Sequence, residues 1–226
     1  MNNSVLVSVL ISTYNDENTI LKAVSSIQSQ THKNLEILII DDGSTDSTYS
    51  ILNSLAKDDP RIKILKNNKN IGLTKSLNIL INASKGYMIA RQDADDISYP
   101  ERIATQIKLI EKYNLDFCSS RALIMNSKRT IPNLSYYLPK KILIKYKNPF
   151  IHGTLMIKRD VLLKVGKYNE HYYYSQDYKL MIELLKKGYS FKVNKEPLYL
   201  LNNENNISIL KYHEQKKYAL KARRSK

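Results

Sequence analysis

Gly86-Tyr87-Met88-Ile89-Ala90-Arg91-Gln92-Asp93-Ala94-Asp95-Asp96 is an apolar run that closes on three carboxylates within four residues. Tyr87–Ala90 predicts a buried strand, because a short apolar run bounded by polar residues fits a sheet interior. Carboxylates crowded at a strand end repel one another, and a divalent cation relieves that cost. A ligand set made only of oxygen suits Mg²⁺ or Mn²⁺. The alternative is a solvated acidic loop whose Asp residues cap the next helix, which Ser98-Tyr99-Pro100-Glu101 opens with an N-cap and an early proline. For Asp96 both readings stay open. Asp93 and Asp95 alternate at the strand end and point to a metal.

Upstream of this stretch the pattern alternates. Val5–Ile11, Leu35–Ile40 and Ile62–Leu65 predict strands. Between them, Ile20–Gln30 and Ser47–Lys57 predict helices with apolar residues on one face, and Leu73, Leu77, Leu80 and Ile81 mark a third. Downstream, a helix to about Tyr113 and a strand around Phe117 follow. This order predicts an α/β fold, a mostly parallel central sheet with helices on both faces. Ligands of such sheets bind at the carboxyl ends of the strands. Three of those ends carry polar loops: Thr13-Tyr14-Asn15, Asp41-Asp42-Gly43 and Asp93-Ala94-Asp95-Asp96. Asp41-Asp42-Gly43-Ser44 with Asp46 also fits a plain helix-capping turn.

After Arg121 the alternation weakens. Residues 121–149 predict irregular or partly helical surface, Thr154–Ile157 a strand, Asp177–Lys187 a helix, and Tyr189–Val193 and Leu198–Leu201 two short strands. The expected organisation is one domain over 1–205, in two halves (1–120 and 121–205). A basic C-terminal helix or tail covers 206–226.

The composition is that of a globular chain, with 42% hydrophobic and 25% charged residues. Nothing at the N-terminus resembles a signal peptide, no apolar run approaches a membrane span, and the one cysteine, Cys118, has no partner for an intrachain disulfide. A cytoplasmic location fits. The net charge of +15 thickens at the end, where Lys211–Lys226 holds seven Lys or Arg and a single Glu214. That run fits either a solvated basic surface or peripheral attachment to an anionic membrane face. A nucleic-acid partner would need basic and aromatic residues on the ligand edge, where carboxylates stand instead.

Glycine-dependent phosphate cradles are missing. Ser12-Thr13-Tyr14-Asn15 follows the first strand where a dinucleotide fold has Gly-x-Gly-x-x-Gly, and no Gly-x-x-x-x-Gly-Lys-Ser/Thr loop occurs. Phosphates held here would be held through a metal.

Taken in order, these loops resemble the family 2 glycosyltransferases, inverting enzymes of the GT-A fold. The resemblance is carried by Val9–Asn15 with Glu17, Ser26–Thr31, Glu36–Asp46, Asn70-Ile71-Gly72 with Asn78, Gly86–Asp96, and Pro100-Glu101-Arg102 with Gln106. It implies a nucleotide-sugar donor, a UDP-sugar, and a glycan or lipid-linked acceptor of bacterial surface polysaccharide (capsule or lipopolysaccharide) synthesis. It makes residues 1–120 the nucleotide-binding half and 121–205 the acceptor half. It implies that Thr13, Tyr14, Asn15, Glu17, Asp42, Asn70, Gly72, Asp93 and Ala94 face the nucleotide. Asp95, with Asp93, would ligate Mn²⁺ or Mg²⁺. Asp177, in Ser175-Gln176-Asp177, takes the place of the catalytic base, with an N-cap as its alternative role. His152 stands where acceptor contacts are usual, or is a buried, hydrogen-bonded histidine. Two departures stand out. Leu180-Met181-Ile182-Glu183 fills the place of a frequent Arg, and Leu200-Leu201-Asn202-Asn203-Glu204 that of a frequent His.

Overall fold

The computed structural model describes residues 5–127, 129–203 and 211–225. The alternation seen in the sequence is realised almost element for element. Strands β1 (Val7–Thr13), β2 (Leu35–Asp41), β3 (Ile62–Lys66) and β4 (Met88–Asp93) are joined by helices α1 (Ile20–Gln28), α2 (Thr48–Asp58) and α3 (Leu73–Ala83). They lie side by side as β3-β2-β1-β4, all parallel.

The two-residue period of the strands explains the layers. Val7, Val9 and Ile11 of β1 with Leu35, Ile37 and Ile39 of β2 face one way. They pack on Ile20, Val24 and Ile27 of α1, Leu52 of α2, and Ile103, Ile107 and Ile110 of α4 (Arg102–Tyr113). Leu10, Leu38 and Ile40 face the other way, onto Leu77, Leu80 and Ile81 of α3. The same layer holds α6 (Arg159–Val165) and α7 (Gln176–Lys186). The helical period of 3.6 gives each helix one apolar stripe for its own face of the sheet.

The second half extends the sheet as β4-β8-β6-β9-β5, with β5 (Ile97–Ser98), β6 (Phe117–Ile124), β8 (Met156–Lys158) and β9 (Phe191–Leu201). A short β7 (Thr130–Ile131) pairs with β6. The mixture has a simple rule. The long strands β1, β2, β3, β4, β6 and β9 run one way, and only the short β5, β7 and β8 run against them.

Several expectations need correction. Ser98 does not cap a helix: it lies in β5, and α4 starts at Arg102 after Glu101 with no side-chain cap. Tyr189–Val193 and Leu198–Leu201 are not two strands but parts of one, β9. Residues 121–149 begin as the end of β6 and then hold β7, a 3₁₀ turn (Leu134–Tyr136) and the single-turn α5 (Lys140–Leu143). The C-terminal run forms α8 (Tyr212–Arg224), which is docked and not a loose tail. Ala222 is buried in the main core, Ser175 Oγ donates to Gln215 O at 3.0 Å, and Lys179 Nζ donates to Ser225 Oγ at 2.7 Å. The expected boundary at 205/206 lies outside the described residues, as do Glu204 and Lys226.

Candidate active site

Register brings the polar loops level. Thr13 pairs opposite Asp41, and Ser12 opposite Asp93, so the ends of β1, β2 and β4 open at one edge. The β1–α1 and β2–α2 loops are then laced together. Asn15, at φ 57°, donates its N–H to Ser44 Oγ at 3.0 Å and accepts from Thr45 N at 2.9 Å. Glu17 accepts from Ser47 N at 2.9 Å, and Asp46 from Glu17 N at 3.2 Å. Tyr14 keeps its ring exposed beside them. Thr13 is buried and donates to Asp16 Oδ2 at 2.7 Å, so its hydroxyl is already engaged.

Asp42 is in a different position from the one expected of a base-facing carboxylate. It is buried, and its oxygens accept from Asn67 Nδ2 at 2.7 Å, Ile71 N at 3.0 Å and Gly72 N at 2.8 Å. It thereby shapes the 67–72 loop, whose Asn70 is exposed. Gly72, at φ 91°, is needed there: a Cβ would stand 2.8 Å from the Tyr173 ring. The capping-turn reading of this loop holds in part, since Asp41 Oδ1 accepts from Ser44 N and Asp46 Oδ1 from Thr48 N.

The acidic cluster divides in two. Asp93 closes β4 partly exposed, with Arg91 Nη2 at 2.5 Å from its Oδ1. Arg91 is buried two residues earlier, on the same face of the strand. Below it, the fully buried Arg102 donates to Arg91 O at 2.6 Å, Ser98 Oγ at 2.7 Å and Gln92 Oε1 at 3.0 Å. Ala94 packs its methyl into the core, so only its backbone can face a ligand. Burial pushes the Asp95 carboxyl up to about 6, with the charges of Asp93 and Asp16 adding to it. Burial likewise raises Asp16, a carboxylate of the β1–α1 loop to which sequence reasoning gave no role.

Asp96 does not cap α4. It is buried, its Oδ1 accepts from Asn202 N at 2.7 Å, and burial with the neighbouring Asp93 and Asp95 charges pushes it up to about 8. Tyr199, fully buried on β9, hydrogen-bonds to it and accepts the Asp93 N–H at 3.0 Å. Asp96 thus ties the cluster to the last strand.

The second half supplies the other wall. A 3₁₀ turn, His152–Thr154, reaches Asp93 so closely that a Cβ on Gly153 would lie 2.6 Å from Asp93 Oδ2 and 2.4 Å from the Tyr199 hydroxyl. His152 Nε2 is 2.7 Å from the Tyr168 hydroxyl. Burial lowers the His152 pKa and raises that of Tyr168, and Arg91, Asp177 and Asp93 all act electrostatically on both. The base candidate and the metal-side carboxylate therefore share one neighbourhood. Asp177 is not the N-cap of α7; that position is Ser175, at φ 54°. Its Oδ2 instead accepts from Asn148 Nδ2 at 2.7 Å. Asn78 serves this wall and not a nucleotide loop: its side chain holds Tyr168 O and Glu170 Oε1, each at 2.9 Å.

The first departure noted in the sequence is explained by packing: Leu180, Met181 and Ile182 are core residues. Sequence reasoning missed Asp16, Tyr199, Asn148 and Gly153. Arg91 carried a readable signal, a charge inside an apolar strand two residues before Asp93.

The cluster fits a divalent cation. Its donors are all oxygen, and its raised pKa values mark negative charge that lacks compensation. Among the described residues no group of three or more His, Cys, Asp or Glu side chains is placed to hold a metal ion by itself. One or two carboxylates shared with substrate phosphates is the usual arrangement for Mg²⁺. Among the same residues no helix is long and apolar enough to cross a membrane.

Known proteins resemble this chain in sequence and fold. The family model described as glycosyl transferase family 2 matches residues 8–166. A glycosyltransferase of Haemophilus influenzae without assigned activity is 34% identical, over 99% of this chain and 74% of that protein. The Escherichia coli UDP-Glc:alpha-D-GlcNAc-diphosphoundecaprenol beta-1,3-glucosyltransferase WfaP is 33% identical, over 81% of this chain and 71% of its own length. S. aureus TarS in complex with UDP-GlcNAc superposes with a TM-score of 0.77 at 19% identity, covering 88% of this chain and 59% of that one. The mannosyltransferase PcManGT from Pyrobaculum calidifontis, in complex with GDP-Man and Mn²⁺, gives 0.79 at 18%, covering 96% and 62%. Both structural likenesses bear on the fold alone.

Proposed function

The chain belongs to glycosyl transferase family 2 and has the GT-A fold, and from that premise we propose that it moves a sugar from a UDP-sugar to a hydroxyl of a lipid-linked glycan, with inversion at the anomeric carbon. The observation that supports this reading is that carboxylates from the ends of β1 and β4 meet at one edge of the sheet, where Ser12 pairs opposite Asp93 and the charge of Asp93 acts on both Asp16 and Asp95.

The donor lies along the loops after β1 and β2. Tyr14 offers an exposed ring, and Asn70 and Gly72 border the loop that Asp42 holds in shape. Asp42 therefore acts on the base through that loop as much as by contact. Asp95, with Asp93 beside it, would hold a divalent cation, Mn²⁺ or Mg²⁺, which would supply positive charge to offset that developing on the departing diphosphate. Arg91 holds the Asp93 carboxylate in position through its guanidinium. Asp177 accepts the proton of the acceptor hydroxyl while that oxygen attacks the anomeric carbon. The bond from that carbon to the diphosphate breaks in the same step, and one substitution inverts the configuration. His152, held by Tyr168, borders the acceptor side.

The UDP-linked name of WfaP favours uridine over guanosine, and its acceptor favours a lipid diphosphate-linked sugar. A thermal-shift series of UDP- and GDP-sugars with and without Mn²⁺ tests the donor side. A metal-dependent rise in Tm with a UDP-sugar is expected. Equal shifts with and without metal, or a preference for GDP-sugars, would overturn the donor assignment.

A further inference from the structure

No Asp or Glu occurs between Asp116 and Asp160, and in the middle of that acid-free stretch the protein turns its apolar side chains outward. Leu134 is 80% exposed, Tyr146 69% and Tyr137 68%, the three highest values among the exposed large hydrophobic residues described. Leu138 and Ile142 are more than half exposed in the same segment. Ile142 and Tyr146 stand four residues apart across α5 and the turn after it, which puts them on one side, and Leu138 leads into α5 through Pro139.

This exposure is built in. The segment is pinned from beneath by Ile144, buried in the main core, whose carbonyl accepts from the Tyr178 hydroxyl at 2.5 Å. Tyr136 is pinned as well, donating its hydroxyl to Val193 O at 3.3 Å. Lys140 turns inward, with Nζ 3.3 Å from Ser135 O and 3.1 Å from Leu138 O. Lys141, Lys145 and Lys147 stay exposed among the outward apolar residues. Arg223 of α8 joins the same face, donating to Tyr146 O at 3.1 Å.

We propose that residues 134–147 are a membrane-docking surface that lays Leu138, Ile142 and Tyr146 into the headgroup layer of an anionic bilayer, with Lys141, Lys145 and Lys147 on the lipid phosphates. Exposed aliphatic and tyrosine side chains interleaved with lysines are the chemistry of interfacial binding, where apolar area enters the acyl boundary and ammonium groups meet acidic lipid. A second copy of the chain fits poorly, because a self-complementary contact would set these lysines against their own kind. Tyr137 and Tyr146 offer rings for a base to stack on, but the exposed aliphatic area of Leu134, Leu138 and Ile142 suits acyl chains and has no use in a nucleic-acid contact.

The place of the surface matters to catalysis. Lys147 is followed by Asn148, whose amide donates to Asp177 Oδ2. The docking segment therefore runs directly into the residue that holds the proposed base, so a lipid-linked acceptor would meet Asp177 at the membrane face. This last step rests on the function proposed above. The docking itself does not.

The full chain is tested by co-sedimentation with vesicles of phosphatidylglycerol and phosphatidylcholine in equal parts, and with phosphatidylcholine alone. Binding to the anionic vesicles only is expected, weakened at least about tenfold both by Leu138→Ser/Ile142→Ser/Tyr146→Ser and by Lys141→Glu/Lys145→Glu/Lys147→Glu. Circular dichroism and the Tm shift with UDP-sugar should be unchanged in both variants. Wild-type failure to bind vesicles, or full binding by both variants, overturns the proposal. So does binding lost only in Lys216→Glu/Lys217→Glu of α8, which would give the attachment to the C-terminal helix. A dimer in sedimentation velocity that the apolar variant dissolves would make the face a contact between copies, and loss of single-stranded RNA binding with vesicle binding intact would make it a nucleic-acid surface. Absence of a donor shift in the wild type counts against the transferase reading and leaves the vesicle result standing by itself.

Discussion

The two ends of one parallel sheet each bury carboxylates, and they treat them in opposite ways. At the amino end, Glu36 of β2 is buried, which alone would raise its pKa. Ser8 Oγ and Lys85 N, each at 2.5 Å, Gly86 N at 3.1 Å and Lys63 Nζ at 3.5 Å outweigh burial and hold the carboxyl below its ordinary range. At the carboxyl end, burial acts in the same direction on Asp16, Asp95 and Asp96; Thr13 and Tyr14 donate to Asp16, and Asn202 and Tyr199 to Asp96, but burial and the neighbouring acids outweigh these donors and all three rise. Burial is common to both ends; the balance between donors and neighbouring charges decides. An acid that the fold has satisfied is structural, and acids left to raise one another need a cation from outside.

The largest effects should come from removing the unsatisfied end. Asp95→Ala is expected to abolish transfer, about a thousandfold or more in kcat/KM, and to remove the metal-dependent Tm shift with UDP-sugar. Asp177→Asn should abolish transfer to a similar degree while leaving that shift intact, since the base touches the acceptor and not the metal. Wild-type turnover by Asp177→Asn would sink the base assignment. Gly153→Ala comes next. Its methyl would meet Asp93 Oδ2 and the Tyr199 hydroxyl well inside contact distance, so the 3₁₀ turn must move off the cluster. A loss of about ten- to a hundredfold in kcat is expected, together with a lower Tm, because overpacking a buried turn costs about 1–3 kcal/mol.

The contrast between the ends was only half legible in the sequence. Strand and helix periods placed β1 to β4 and their loops at one edge, because each apolar residue there faces a layer set by local pattern. Asp93 and Asp95 stood out for the same local reason. Asp96 could not be resolved locally: its partners, Tyr199 and Asn202, lie more than a hundred residues on and reach it only after β9 is paired. β9 was itself hard to read, because Lys195-Glu196-Pro197 breaks its pattern. Pro197 is tolerated because it pairs opposite Arg121 where the β6–β9 register shifts, a place where a missing N–H does no harm. Glu36 matched a family segment, yet its role as a clamp on Lys85 and Gly86 appears only once β4 lies in place.

Breaking the satisfied end should cost stability and not chemistry. Glu36→Gln keeps an amide oxygen for Ser8, Lys85 and Gly86, which all donate to one carboxylate oxygen, but it loses the negative charge and turns its N–H₂ towards Lys63, for a loss of about 1–2 kcal/mol at neutral pH. Activity per folded molecule should stay at the wild-type level. The sign with pH follows from the lowered pKa. The stabilisation by Glu36 is present above its ordinary 4.5 and is lost as pH falls through its lower folded value, so variant and wild type should converge in acid. Urea titrations across that range measure the convergence. A constant difference would mean that the carboxylate charge is not what Ser8, Lys63, Lys85 and Gly86 hold.

The smallest effect is the most discriminating, because its sign is opposite. Asp95 has a folded pKa of about 6 against an ordinary 3.8, so its ionised form is a cost to the folded protein. Below 3.8 both folded and unfolded chains carry the proton and there is no cost. Between the two values the folded chain holds more protons, stability falls as pH rises, and above about 6 the cost is complete. Asp95→Asn removes the charge but keeps a buried polar group, so in metal-free buffer at about pH 8 it should be more stable than the wild type by about 1 kcal/mol, or about 2–4 °C in Tm. That advantage should vanish near pH 4 and reverse when Mn²⁺ and a UDP-sugar are added, since only the carboxylate gains from the cation. A metal-free wild type that is already the more stable at pH 8 would mean that the carboxyl end is satisfied as it stands, and the difference between the two ends of the sheet would be one of position alone.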